Sequence, residues 1–287
     1  MIRFCQPFFC EGVRRYAQKE VLHPFHFVFS EFMIQSVIDR NADPLFMKCI
    51  PDGCVTVLFI KSSGTCKVEL IGTPLSAKAL IVYPDALYFA VRLEPGLSFP
   101  YSRISKAKIS TRDIADTEIF LPLLSGDMQE LSEKLFAAPS FEERIHIFNA
   151  YISLFDRKEL VAKETLCDML MRIYLAKGNV EISSIAERVC YSERHFSRLF
   201  SEGLGYSPKT FARIVRFQHV LFQIFMKGNA NIADMLATLN YSDQAHFQRE
   251  FKEFTTLTPR QFVQFAKKNT SRERCLACTG HCGKCHE

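Results

Sequence analysis

The sequence predicts an α+β chain of more than one domain, β-rich in its N-terminal part and all-helical in its C-terminal part. Three observations carry this. Short apolar runs broken by turn signals fill the stretch from Met1 to Phe120. Beyond Ser125 the apolar residues fall instead at helical intervals. Near the C-terminus a block of pattern then repeats about fifty residues later. At 287 residues, 48% of them apolar and 23% charged, the chain is long enough and apolar enough for two cores.

The strand-like runs include Cys54-Val55-Thr56-Val57-Leu58-Phe59-Ile60, Lys67 to Ile71 and Leu87 to Leu93. Pro51-Asp52-Gly53, Ser62-Ser63-Gly64, Gly72-Thr73-Pro74 and Pro95-Gly96 punctuate them, a spacing expected of a compact sandwich or small barrel. Met128, Leu131, Leu135 and Phe136 predict one helix, and Ile145, Phe148, Ile152 and Phe155 a second. Ser140 is a candidate N-cap between them, with Glu143 as its capping-box partner. The expected domains are a β-rich unit at 1–125 and a helical linker or dimer seam at 126–162. A helical domain at 163–268 and a Cys-rich tail at 269–287 follow.

In the repeat, Ile182, Ile185, Ala186 and Val189 form the apolar stripe of a short helix, and Ile232, Met235, Leu236 and Leu239 form its copy. Tyr191-Ser192 answers to Tyr241-Ser242, each Ser a candidate cap. One extra residue enters the second copy. From there His195-Phe196, Arg198 and Phe200 match His246-Phe247, Arg249 and Phe251, and Ser207-Pro208 matches Thr258-Pro259. Each copy reads as a helix, a short turn and a second helix with one apolar seam. Phe196, Phe200, Phe247 and Phe251 are the expected core, with His195 and His246 beside them.

The other side of each second helix is polar: Arg194, Ser197, Arg198 and Ser201 in the first copy, Gln244, Gln248, Arg249 and Lys252 in the second. Arg can pair bidentately with guanine edges and Gln with adenine edges, so these positions are the candidate base readers. From Ser207 to Met226 the sequence predicts a joining helix of roughly 30 Å, close to the ~34 Å between successive major-groove segments on one DNA face. The alternative is a helical bundle whose duplicated hairpin binds a protein. Charge favours DNA: residues 163–268 hold 15 Lys and Arg against 10 Asp and Glu, whereas residues 1–162 hold 18 against 19. No apolar run reaches the ~18–20 residues of a membrane span, and the N-terminus lacks the pattern of a secretory signal, so a cytoplasmic protein without membrane partners is expected.

Residues 163–268 resemble the DNA-binding domain of AraC-family regulators, most closely from Ile232-Ala233-Asp234 through Tyr241-Ser242-Asp243-Gln244-Ala245-His246-Phe247-Gln248-Arg249-Glu250-Phe251-Lys252 to Leu257-Thr258-Pro259. The resemblance implies two tandem helix-turn-helix units, double-stranded DNA as partner, and base contacts from Arg194, Ser197, Arg198, Gln244, Gln248 and Arg249. Cys190, Asn240 and Thr256 stand where the family usually has Gly. Residues 1–125 resemble, more loosely, the cupin-like N-terminal domain of some members, through Pro51-Asp52-Gly53-Cys54, Val91-Arg92-Leu93-Glu94-Pro95-Gly96 and Ile114 to Leu124. That implies a sensor for a small-molecule effector, although each motif also reads as a hairpin turn. RNA polymerase and a second copy of the chain are further candidate partners.

Cys275, Cys278, Cys282 and Cys285 make two Cys-x2-Cys pairs three residues apart, a local signal for zinc or an iron–sulfur cluster. A redox switch and a tail that takes up metal adventitiously are the alternatives. His23 and His26 have cupin-type metal spacing, but no second His/Glu cluster completes a site. Adaptive-response repair proteins carry their four-Cys zinc site at the N-terminus, in a folded domain; here the cluster is C-terminal. A regulator rather than an enzyme is expected.

Overall fold

The computed structural model describes residues 13–21, 27–34, 45–83, 86–97, 111–120, 126–227, 241 and 243–270. Among the described residues the N-terminal part holds eight strands: β1 (Val13–Val21), β2 (Phe27–Ile34), β3 (Leu45–Cys49), β4 (Val55–Ser62), β5 (Thr65–Ile71), β6 (Lys78–Val82), β7 (Leu87–Leu93) and β8 (Glu118–Phe120). Six form an antiparallel sheet in the order β1-β2-β7-β4-β5-β8, and β3 pairs with β6 separately. Register is set locally where it can be. Ser63 and Gly64 both take positive φ, 48° and 79°, as a two-residue type I′ hairpin demands, and bring Ser62 opposite Thr65.

Period-two alternation gives the large sheet two apolar faces. One carries Phe27, Phe29, Val57, Phe59, Phe89 and Val91. It is covered by α2 (Gly126–Ala137) and α3 (Phe141–Ile152), the short α1 (Thr111–Ile114) lying earlier in the chain. Phe148 of α3 sits with its ring edge-on to Phe27, Phe29 and Phe59, at 5.9, 5.6 and 6.2 Å. Ser140 caps α3 by accepting from Glu143 N, as its sequence position predicts. Arg144 donates to Glu31 Oε2 at 2.8 Å and to the Ala138 carbonyl, a buried ion pair that ties helix to sheet. The other face, with Leu58, Ile60, Tyr88 and Ala90, packs against Leu80 and Val82 of β6. Most apolar residues of the 126–162 segment thus pack against the sheet, while Leu154 remains exposed.

After a single turn, α4 (Arg157–Leu160), the described residues form helices: α5 (Glu164–Leu175), α6 (Ile182–Arg188), α7 (Glu193–Leu204), α8 (Pro208–Lys227), α9 (Gln244–Thr255) and α10 (Pro259–Thr270). No helix among the described residues is long and apolar enough to cross a membrane. Two cores share α8. Phe211, Ala212 and Val215 face a cluster with Leu166, Met169, Ile185, Phe196 and Phe200. Ile214, Phe217, Leu221 and Ile224 face a second cluster with Phe247, Phe251, Phe254 and Phe262. One amphipathic helix with two apolar stripes thus contributes to the cores of both units.

The N-terminal part meets the helices through its turns. Asp52 Oδ1 accepts from Cys54 N at 2.9 Å, which shapes the Pro51-Asp52-Gly53-Cys54 turn, and Oδ2 lies 3.5 Å from buried Arg92. Gly53, at φ 78°, lies so close to Pro95 and Phe211 that a Cβ would be 3.0 and 3.2 Å from them. Gly96, at φ 92°, faces Leu170 of α5, whose Cδ1 would lie 2.9 Å from an added Cβ. Gln218 of α8, fully buried, donates to the Pro51 carbonyl at 2.7 Å. Burial pushes up the Cys54 thiol and the Tyr174 phenol in this seam, with Glu94 adding to the shift on Tyr174. The two turns singled out in the sequence are contacts between the two halves.

Candidate nucleic-acid interface

In the first unit the turn between α6 and α7 passes through Cys190 at φ 58°, a left-handed conformation that costs an L-residue roughly 1–2 kcal/mol. Ser192 then caps α7, accepting from His195 N at 3.3 Å. Phe196, Phe200 and Leu204 are buried along one side of α7, and the Tyr191 ring stands edge-on to His195 at 4.8 Å. The opposite side presents Arg194 and Arg198 to solvent, with Ser197 and Ser201 half-buried between. Arg198 lies 3.5 Å from Glu202 and 3.2 Å from His195 Nδ1. An exposed pair of this kind is worth ~1 kcal/mol or less, so a DNA acceptor can displace it.

In the second unit the residues expected to form the first helix, including Ile232, Met235, Leu236 and Leu239, lie outside those described, as does Ser242. The cap of α9 is Asp243, whose carboxylate accepts from His246 N at 2.7 Å. The expected Ser242 cap is corrected by one position: the extra residue in the second copy makes Asp243, not Ser242, the equivalent of Ser192. Phe247, Phe251 and Phe254 point inward, and Gln244, Gln248, Arg249 and Lys252 are exposed. Both helices end on a left-handed residue, Gly205 at φ 84° and Thr256 at φ 63°. The second copy thus keeps the same termination geometry at a backbone cost that glycine would avoid.

A network without a sequence-level expectation anchors α9. Glu250, 2% exposed, faces α8 and accepts from Arg213 Nε at 2.8 Å, from Arg216 Nη2 at 3.4 Å and from the Tyr241 hydroxyl at 2.8 Å. Arg213 also bonds Glu253 at 2.8 Å, and the Arg216 guanidinium lies over the Tyr241 ring at 4.4 Å. Burial, with the Glu250 carboxylate next, pushes the Tyr241 phenol well above its ordinary range. Glu250 immediately follows Arg249, so this lock fixes which side of α9 those neighbours present. The legible signal was the matched spacing of Arg213 with Arg216 and of Glu250 with Glu253. The first unit has Leu199 at the Glu250 position and packs there through apolar contact.

Among the described residues no group of three or more His, Cys, Asp or Glu side chains could hold a metal. Cys275, Cys278, Cys282 and Cys285 lie outside them, as do His23 and His26.

Residues 185–264 match the family described as a helix-turn-helix domain. An uncharacterised helix-turn-helix-type transcriptional regulator of Staphylococcus aureus (strain MSSA476) is 32% identical over 84 residues, 29% of this chain and 11% of that protein. One of Haemophilus influenzae is 30% identical over 81 residues, 28% of this chain and 27% of that protein. The alignments therefore span about a tenth and about a quarter of those relatives. Among solved structures, ToxT of Vibrio cholerae overlays 84% of this chain and 98% of its own with 12% identity and a TM-score of 0.43.

Proposed function

We propose that this chain, whose residues 185–264 match a helix-turn-helix domain family, is a sequence-specific transcriptional regulator of the AraC type that reads two adjacent major-groove segments. One observation carries the reading. Two capped helices, α7 and α9, bear exposed Arg at equivalent positions, Arg198 and Arg249, and a single 20-residue helix joins their cores. Phosphate contacts from Lys and Arg give salt-dependent affinity without sequence choice. Sequence choice comes from Arg194, Ser197, Arg198 and Ser201 in one box and from Gln244, Gln248, Arg249 and Lys252 in the other.

Substitution of Arg249 by Ala is expected to cost roughly 1–3 kcal/mol on the preferred site and to relax one base preference in the second box only. Arg194→Ala is expected to act on the first box. Titrations on specific and random duplexes check this; equal losses on both would remove the base-reading role.

The same reading gives the β-rich part the role of a sensor for a small-molecule effector in a cytoplasmic regulator. RNA polymerase and a second copy are its further partners. The Cys275, Cys278, Cys282 and Cys285 thiolates form the donor set of a structural or regulatory zinc ion, with an iron–sulfur cluster as the alternative. Metal content of the purified chain, with and without residues 270–287, tests this. About one zinc per chain that vanishes on truncation supports zinc, and iron in its place supports the cluster. No metal in either form removes the cofactor.

A further inference from the structure

The two units are separated by one helix, and one helix is a loose ruler. Over the ~30 Å of α8, a swing of ~10° about one end would move the other end by ~5 Å, more than the ~3.4 Å between base pairs. Holding two recognition helices to a one-base-pair register therefore needs a second connection. The N-terminal half supplies contacts in the right place.

Residues 72–78 and 112–117 are tied into one body. Gly72 N donates to the Thr117 carbonyl at 2.8 Å and Asp116 N to the Thr73 carbonyl at 2.9 Å. Asp116, left-handed at φ 56°, accepts from Leu75 N at 2.9 Å and pairs with Lys78 at 3.0 Å. Gly72 lies hard against the Ile114 carbonyl, and Ile114 is itself in the core of the large sheet.

This bracket touches the C-terminal end of both recognition helices. At α7, a Cβ on the terminating Gly205 would stand 2.5 Å from Ala115 Cβ and 2.9 Å from the Arg112 carbonyl. At α9, Ala77 N donates to the Glu253 carbonyl at 3.2 Å. Lys48, from the β3–β6 pair that continues the bracket, donates to the hydroxyl of the terminating Thr256. Leu75 packs against both helical cores at once.

We propose that this bracket gauges the distance between the two recognition helices, with Asp116 as its positioning residue, and so decides which separation of DNA boxes the chain accepts. The proposal rests on the DNA-reading function above. It makes box spacing a property of the whole chain, so that any ligand moving the bracket changes the set of sites bound rather than the base preference within a box.

The test uses the full chain and duplexes with the two boxes at the preferred separation and at one base pair more or fewer. Wild type is expected to lose roughly tenfold in affinity on each change. Asp116→Ala, which removes the carboxylate that accepts from Leu75 N and pairs with Lys78 while leaving Lys78 the backbone carbonyl of residue 116, should lose only about threefold, and the surface variant Lys48→Met should follow in the same direction. Both variants should keep wild-type base preference within each box, which a general loss of folding would not allow. The same separation dependence in all three proteins, whatever their absolute affinities, would overturn the gauge. So would a wild type indifferent to separation but still selective within each box. Failure of the functional reading is distinguishable, because wild type would then show no preference even for a single box.

Discussion

At the scale of single residues, similar side chains acquire different chemistry from their surroundings. Cys190 and Cys54 are both thiols beside tight turns. Cys190 is exposed between two helices, whereas Cys54 is 2% exposed in the seam between the halves of the molecule. Burial pushes the Cys54 thiol well up, and neighbouring Asp52 adds to the shift. Alkylation proceeds through the thiolate, so a raised thiol reacts more slowly at any pH below its own range. Treatment of the native chain with iodoacetamide at about pH 8 is expected to modify Cys190 and spare Cys54 until denaturant opens the seam. Peptide mass spectrometry reads this directly, and Cys54 labelling at the rate of Cys190 would show that the seam is open in solution.

Among the elements, Glu250 joins two helices through a buried carboxylate met by two partly buried guanidinium groups. Removing one partner of such a group leaves the others without compensation, at a cost of about 3 kcal/mol. Glu250→Ala is expected to destabilise the C-terminal domain by that order, since Arg216 and the Tyr241 hydroxyl lose their acceptor. Leu199→Ala, at the equivalent place in the first unit, removes apolar contact only. A urea midpoint for Glu250→Ala equal to that of the parent chain would show the network to be inert.

These elements also show what a linear pattern can convey. The stripes of Phe196 with Phe200 and of Phe247 with Phe251 were legible because helical period is local, and so was the joining helix, expected at 207–226 and found at Pro208–Lys227. The Asp243 cap was missed because an inserted residue shifts a cap while leaving the stripe intact. The partner of Pro51 was out of reach, since a turn's local code says nothing of Gln218, 167 residues away. An amphipathic face likewise does not announce its partner: Phe148 could have faced a second chain, and it faces Phe27, Phe29 and Phe59.

For the whole molecule, three layers of dependence converge on one surface. Apolar seams turn polar residues of α7 and α9 outward, α8 holds the two cores apart, and the β-rich half grips the turns and helix ends behind them. The most direct test is selection of bound sequences from a random DNA library by the full chain, followed by salt titration on the winners. The account predicts a motif of two boxes about one helical turn apart, with affinity falling log-linearly in salt by a slope near −0.9 per phosphate contacted. Weak binding without sequence preference, or a single box, would contradict it.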